Sequence, residues 1–157
     1  MQFYDAPNLE FLCNMTLDVE VDFPVLNKTY NGSGRRIIGV TGGKLTGPEF
    51  EAKVLPGGSD WITVREDGTI IQDVKIVLET DDHETILMIY RGIRTGPKEI
   101  LEKLNRGEKV PADQYYFRHA PIFETDSPKY DWMNKHIFVA TGERLPSGVQ
   151  YSLFTVK

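Results

Sequence analysis

Apolar side chains fall on every second residue from Leu9 to Phe23. Leu9, Phe11, Cys13, Met15, Leu17, Val19, Val21 and Phe23 alternate with Glu10, Leu12, Asn14, Thr16, Asp18, Glu20 and Asp22. A strand turns successive side chains to opposite faces, so this run predicts a β-strand with one face in a core and the other in water. It exceeds the usual ~3–10 residues of a strand, which predicts a bend or bulge midway. Pro24 ends it or marks a sheet edge.

Shorter β-runs follow at residues 36–40, 50–55, 61–65, 69–79, 85–93, 115–125, 135–143 and 149–157, divided by Gly- and Pro-rich turns. Asp67-Gly68 between two β-runs is a hairpin signal. One helix stands out. Pro97 opens it, Ile100, Leu101 and Leu104 share a face, and Gly107 caps its end. It is too short to build a layer and is expected to plug or cover something. Evenly spaced strands of this kind predict an antiparallel barrel or sandwich. Polar residues on both faces of many strands favour a barrel with a partly polar interior, able to hold a small ligand. There is no internal repeat or linker, so residues 1–157 read as a single β-barrel domain.

The function classes that composition disfavours are clear. A net charge of −5 lacks the basic footprint of a nucleic-acid binder. No apolar run approaches the ~20 residues of a membrane span, and no signal-peptide pattern opens the chain, so a cytoplasmic location is expected. The single Cys13 excludes an intramolecular disulfide and a multi-cysteine zinc site, and its place on an apolar strand face suits a small buried hydrophobe. Gly39-Val40-Thr41-Gly42-Gly43 has neither dinucleotide-binding spacing nor a P-loop lysine, and no Gly-x-Ser-x-Gly elbow occurs. His83, His119 and His136 make no metal-binding spacing, and His136, beside aromatic residues, is the best acid/base candidate among them. No metal or cofactor is expected.

Charged residues inside apolar strands carry the chemical signal. Asp73 sits among Ile70, Ile71 and Val74; Arg91 lies between Tyr90 and Gly92; Arg118 and Glu124 share a strand face; Asp60 precedes Trp61. A buried charge must be paired or used. One reading makes these outward-facing residues or structural ion pairs. The other makes them an interior ring that orients an oxygen-bearing ligand, with a carboxylate as proton shuttle. Tyr115, Tyr116, Phe117, Phe123, Tyr130, Trp132 and Phe138, with Trp61, could line a pocket for a flat molecule or simply form core.

A family likeness rests on ordered motifs. These are Gly34-Arg35-Arg36, Leu55-Pro56-Gly57-Gly58-Ser59-Asp60-Trp61, Arg65-x-Asp67-Gly68, Leu78-Glu79-Thr80-Asp81-Asp82, Tyr90-Arg91-Gly92, Tyr116-Phe117-Arg118, Phe123-Glu124-Thr125 and Tyr130-Asp131-Trp132-Met133-Asn134. From about residue 8 to 157 the chain resembles the domain of unknown function 3237 family (uncharacterised protein family 0311). That resemblance implies an all-β, lipocalin-like antiparallel barrel and supplies no catalytic residue. One position departs from it: His83 stands where the family commonly has glycine in a turn.

Three functions follow as expectations. The first is a small-molecule-binding barrel for an aromatic or carbonyl-bearing ligand. The second is a cofactor-independent isomerase, lyase or cyclase. In it Asp60 or Asp73 moves a proton, and Trp61, Arg65, Arg91, Arg118, Glu124, Tyr130, Trp132 and Asn134 hold the ligand. The third is a filled structural barrel. Homodimerisation through a barrel edge is a further possibility.

Overall fold

The computed structural model describes residues 4–20 and 23–157. Ten strands follow in chain order: β1 Leu9–Val19, β2 Phe23–Leu26, β3 Gly34–Thr46, β4 Glu51–Val54, β5 Gly58–Val64, β6 Ile70–Thr80, β7 Thr85–Thr95, β8 Tyr116–Glu124, β9 Phe138–Leu145 and β10 Gly148–Val156. One α-helix, α1 (Lys98–Asn105), joins β7 to β8. The alternating run ends as a strand at Val19; Val21 and Asp22 lie outside the described residues, and Pro24 sits in β2, which pairs only with β3. The expected irregularity is a register shift between Phe11 and Cys13, which buries Leu12 and Cys13 together.

Every pairing is antiparallel and the sheet closes on itself. The path runs β1-β10-β9-β8-β7-β6, then through β4 and β5 to β3, and β3 returns to β1 from Asn14↔Thr46 to Val19↔Val40. β4 and β5 share one position, broken at Pro56-Gly57, and β2 extends the position of β1. The result is an eight-strand antiparallel barrel. Closure removes the unpaired edges that open sheets must protect.

β3 is longer than its sequence suggests. Gly42-Gly43 and Gly47 read as breaks, yet β3 runs through the first two and ends beside the third. A Cβ on Gly43 would stand 2.2 Å from the Thr16 carbonyl oxygen, and one on Gly47 would stand 2.1 Å from that of Leu12. These glycines let β1 and β3 approach closely where the barrel closes.

The two ends of the barrel differ. The end where β1, β7 and β9 begin is packed solid with Met15, Leu45, Leu78, Ile86, Met88, Met133, Phe138 and Leu153, each under 2% exposed. A short 3-10 turn, Asp131–Lys135, carries Met133 into this end. The opposite end is partly open and polar, and α1 lies there with Ile100, Leu101 and Leu104 buried. α1 stops in a Schellman arrangement. The Gly107 N–H donates to the Leu104 carbonyl and the Glu108 N–H to that of Lys103, each at 3.0 Å, with Gly107 at φ +77°.

Candidate functional site

Inward-facing positions at the open end enclose a cavity of about 110 Å³. β5 contributes Asp60 and Ile62, β6 Gln72, β7 Tyr90 and Arg94, β8 Phe117, β9 Arg144, and β10 Tyr151. Arg36 from β3 also lines it, and Leu104 and Asn105 of α1 border it.

Asp60 is the acid of this cavity, 8% exposed. The β5–β6 ladder is regular at Asp60↔Val74 and Thr63↔Ile71 but unpaired between them. In that gap Asp60 Oδ1 accepts the Asp73 backbone N–H at 3.0 Å. Burial pushes the Asp60 carboxyl up to about 6. The Asp73 N–H, the Gln72 amide and the charge of Arg94 oppose that rise, and the Asp73 carboxylate adds to it. Asp60 therefore holds and releases a proton close to neutral pH, as a general acid or base must.

Gln72 and three rings stand beside it. Gln72 Nε2 donates to the Tyr151 hydroxyl at 3.0 Å. Tyr90 stacks on His119 with ring centroids 3.9 Å apart, and Tyr151 meets the His119 ring edge-on at 4.5 Å. Neither nitrogen of His119, nor the Tyr90 hydroxyl, nor Gln72 Oε1 has a well-formed hydrogen bond, although all are buried. Burial drives His119 down to about 3, so its ring is neutral, and holds both tyrosines above their ordinary values. Two inward-facing glycines make this crowding possible. A Cβ at Gly92 would come within 2.5 Å of Gln72 Oε1, and one at Gly142 within 2.8 Å of the Tyr151 ring.

Arg94 lies above these rings, its guanidinium 5.9 Å from the centre of Phe117. Its Nε is buried without a partner, and burial, then the charge of Arg144, bring it down to about 10. Arg144 is anchored rather than neutralised: its backbone N–H donates to the Tyr115 hydroxyl at 2.8 Å, and Nη1 donates to the Gly148 carbonyl at 3.0 Å.

The residues singled out from sequence fall into three places. Asp60 is inside. Asp73, Arg65, Arg91, Arg118, Trp61 and Glu124 stand on outward faces, so the interior ring is built from other arginines. Asp73 is opposite Arg91 in the ladder; Arg118 donates to the Phe117 carbonyl and covers the Tyr116 ring; Trp61 is 51% exposed and donates to Ser59. Arg65, Arg91 and Arg118 line a shallow outer groove with Ile71, Ile93 and Tyr116. Tyr130, Trp132 and Asn134 close the packed end. Tyr130 donates to Asp82, Trp132 packs on Phe138, and Asn134 bridges Thr125 and Asp131.

Sequence reasoning missed Gln72, Arg94, His119, Arg144 and Tyr151. The signal was parity: Tyr90 and Arg94 are four residues apart on one strand, and Phe117, His119 and Phe123 share a face. Of the histidines, His119 is the interior one. His136 is exposed and bonded through Nδ1 to the Trp132 carbonyl. Cys13 is fully buried, its thiol pushed up to about 12 by desolvation, as befits a small hydrophobe. Among the described residues, no three His, Cys, Asp or Glu side chains gather as metal ligands.

Known proteins share this architecture. A UPF0311 protein of Clostridium acetobutylicum is 41% identical over 142 residues, covering 90% of each chain. The crystal structure of a conserved protein of unknown function from Rhodopseudomonas palustris superposes with a TM-score of 0.91 at 31% identity, covering 99% of this chain and 100% of that one. A fungal relative, the hydroalkoxylation enzyme phnH of Penicillium herquei, is 30% identical over 131 residues, covering 82% of this chain and 69% of that protein. The family model for proteins of unknown function DUF3237 matches residues 7–156, and the chain belongs to that family.

Proposed function

We propose that this protein is a cofactor-independent enzyme that uses Asp60 to move a proton on an unsaturated, oxygen-bearing small molecule held in the barrel. The observation that carries this reading is a buried carboxyl on a cavity wall, poised to titrate near neutral pH among fixed cationic and hydroxyl groups. The fungal relative adds an O–H across a C=C bond, as its name states, and such an addition needs one proton delivered and one removed. A single carboxyl suffices for both. Protonated Asp60 gives its proton to one carbon of the double bond. The hydroxyl oxygen bonds to the other carbon, and its proton returns to the Asp60 carboxylate.

The test is a panel of phenols, aromatic acids and cyclic enones incubated with the protein in D2O, followed by mass spectrometry for deuterium uptake and cyclised product. The wild type is expected to accelerate exchange or conversion of at least one compound. Asp60→Asn, fully folded, is expected to lose roughly 100-fold or more of that rate. Binding without exchange would make the protein a carrier instead, and an Asp60→Asn variant as fast as wild type would take the proton transfer away from Asp60.

A further inference from the structure

Among the described residues, the cavity lining carries more guanidinium than carboxylate. Asp60 is the only carboxylate lining it among the described residues, whereas Arg94 and Arg144 both face it. The Arg94 Nε is buried without a partner, and the Arg144 guanidinium donates through Nη1 to the Gly148 carbonyl, which is not anionic. A buried guanidinium beside a second one, as Arg94 is beside Arg144, is costly to maintain without an anion. A guanidinium is also the side chain best shaped to take a carboxylate or phenolate oxygen. The surrounding walls are flat or aliphatic: Phe117, Tyr90 and Tyr151 on one side, Ile38, Ile62 and Val149 on the other.

We infer that the natural ligand of this cavity is an aromatic or conjugated oxyanion, its negative oxygen held by Arg94 and Arg144 at the open end and its flat skeleton directed toward Asp60. This rests on the reading of the cavity as the active site and adds the charge of the substrate to it. Deeper in the barrel, Asp60 is the group the anion would oppose. Its arrival favours the protonated form of Asp60, so binding of the substrate arms the acid that acts on it.

Matched acid and amide pairs test the inference: cinnamate against cinnamamide, and 2-naphthoate against 2-naphthamide, titrated calorimetrically into the full-length protein. The acids are expected to bind at least roughly tenfold more tightly than their amides. That preference should collapse in Arg144→Gln and in Arg94→Met, the folding of each variant being checked by thermal melting; Arg144, at the rim, is the variant that holds if Arg94→Met does not fold. Asp60→Asn should bind the acids several-fold more tightly, because a negative charge has left the cavity. Near neutral pH the wild type should take up a proton on binding an acid, seen as a dependence of the heat on buffer ionisation enthalpy; Asp60→Asn should not.

Amides that bind as well as the acids, acids that fail to bind at millimolar concentration, or a preference that survives in a folded arginine variant would each overturn the inference. The two proposals fail separately. Acid preference with no exchange in the wild type leaves an anion-binding barrel and removes the enzyme. No acid preference with exchange lost in Asp60→Asn leaves the enzyme and removes the anion.

Discussion

Two titratable side chains share the barrel wall, and burial disfavours the charged form of each, by opposite shifts. Asp60 rises to about 6 and His119 falls to about 3. The signs follow from proton counting. Above pH 6 the folded state bears an ionised buried Asp60 at a cost that the unfolded chain escapes. Below pH 3.8, the ordinary carboxylate value, both states are protonated and the cost is gone. Asp60→Asn is therefore expected to be more stable than wild type by about 3 kcal/mol at pH 7, an advantage that shrinks as the pH falls and disappears below pH 3.8. His119 acts in the other direction. From pH 6.5 down to about 3 the unfolded chain takes up a proton that the folded ring refuses, so acidification destabilises. His119→Phe should gain on the wild type steadily through that window, by up to about 1.4 kcal/mol per pH unit. Denaturant titrations at several pH values check both, and parallel curves for wild type and variants would remove these assignments. A third residue stands out through its backbone. His83 is at φ +64°, the one non-glycine with positive φ among the described residues. The resemblance to a family that carries glycine there marked this position, and the backbone explains it. The His83 ring is 3.9 Å from Glu79 and largely exposed, so that ion pair contributes little. His83→Gly is expected to raise stability by up to about 1 kcal/mol in the same titrations.

At the scale of elements, the most consequential feature is the seam between β1 and β3. Gly43 has φ +149°, a conformation L side chains rarely adopt, and its Cα side faces the Thr16 carbonyl. Gly43→Ala is expected to cost about 3 kcal/mol or more, since neither backbone can yield without breaking the ladder. Gly57→Ala is the control: its φ is +107°, but no atom lies within 4 Å of the added carbon, so only the conformational cost of about 1–2 kcal/mol applies. Thermal melting of the pair separates close approach from backbone conformation. This seam also shows why strand ends were harder to read than strands. A glycine that bends the chain and a glycine that admits a neighbouring strand look alike in sequence, and only the partner distinguishes them. The helix was legible because its stop signal is local: the Gly107 N–H satisfies the Leu104 carbonyl, three residues back.

For the whole molecule, the barrel was legible and its inside was not. Alternation and hairpin turns indicated roughly eight to ten short strands in a barrel or a sandwich, and polar residues on both strand faces, with the family likeness, pointed to the barrel. Which face points inward is a long-range property. In β6, Ile70, Gln72 and Val74 compete with Ile71, Asp73 and Val77, and each set is apolar enough to be a core face. Inward facing goes to the first set, which places Asp73 outside and Gln72 within. Asp60 was found because it follows a glycine turn and precedes a β-run. Arg94 and His119 were missed because a charged residue and a histidine read as surface unless the face is known.

The contrast between the two ends of the barrel has an evolutionary consequence. The solid end, with Met15, Leu45, Met88, Met133 and Leu153, ties together β1, β3, β7 and β10, whereas the open end holds the groups that meet a ligand. Exchanges among Ile38, Ile62, Val149 and Leu104 reshape the chamber without disturbing the plug that keeps the fold intact. A lineage can therefore trial new substrates at the mouth while its foldability is underwritten elsewhere. A laboratory library confined to those four positions would sample chemistry at little risk to the scaffold.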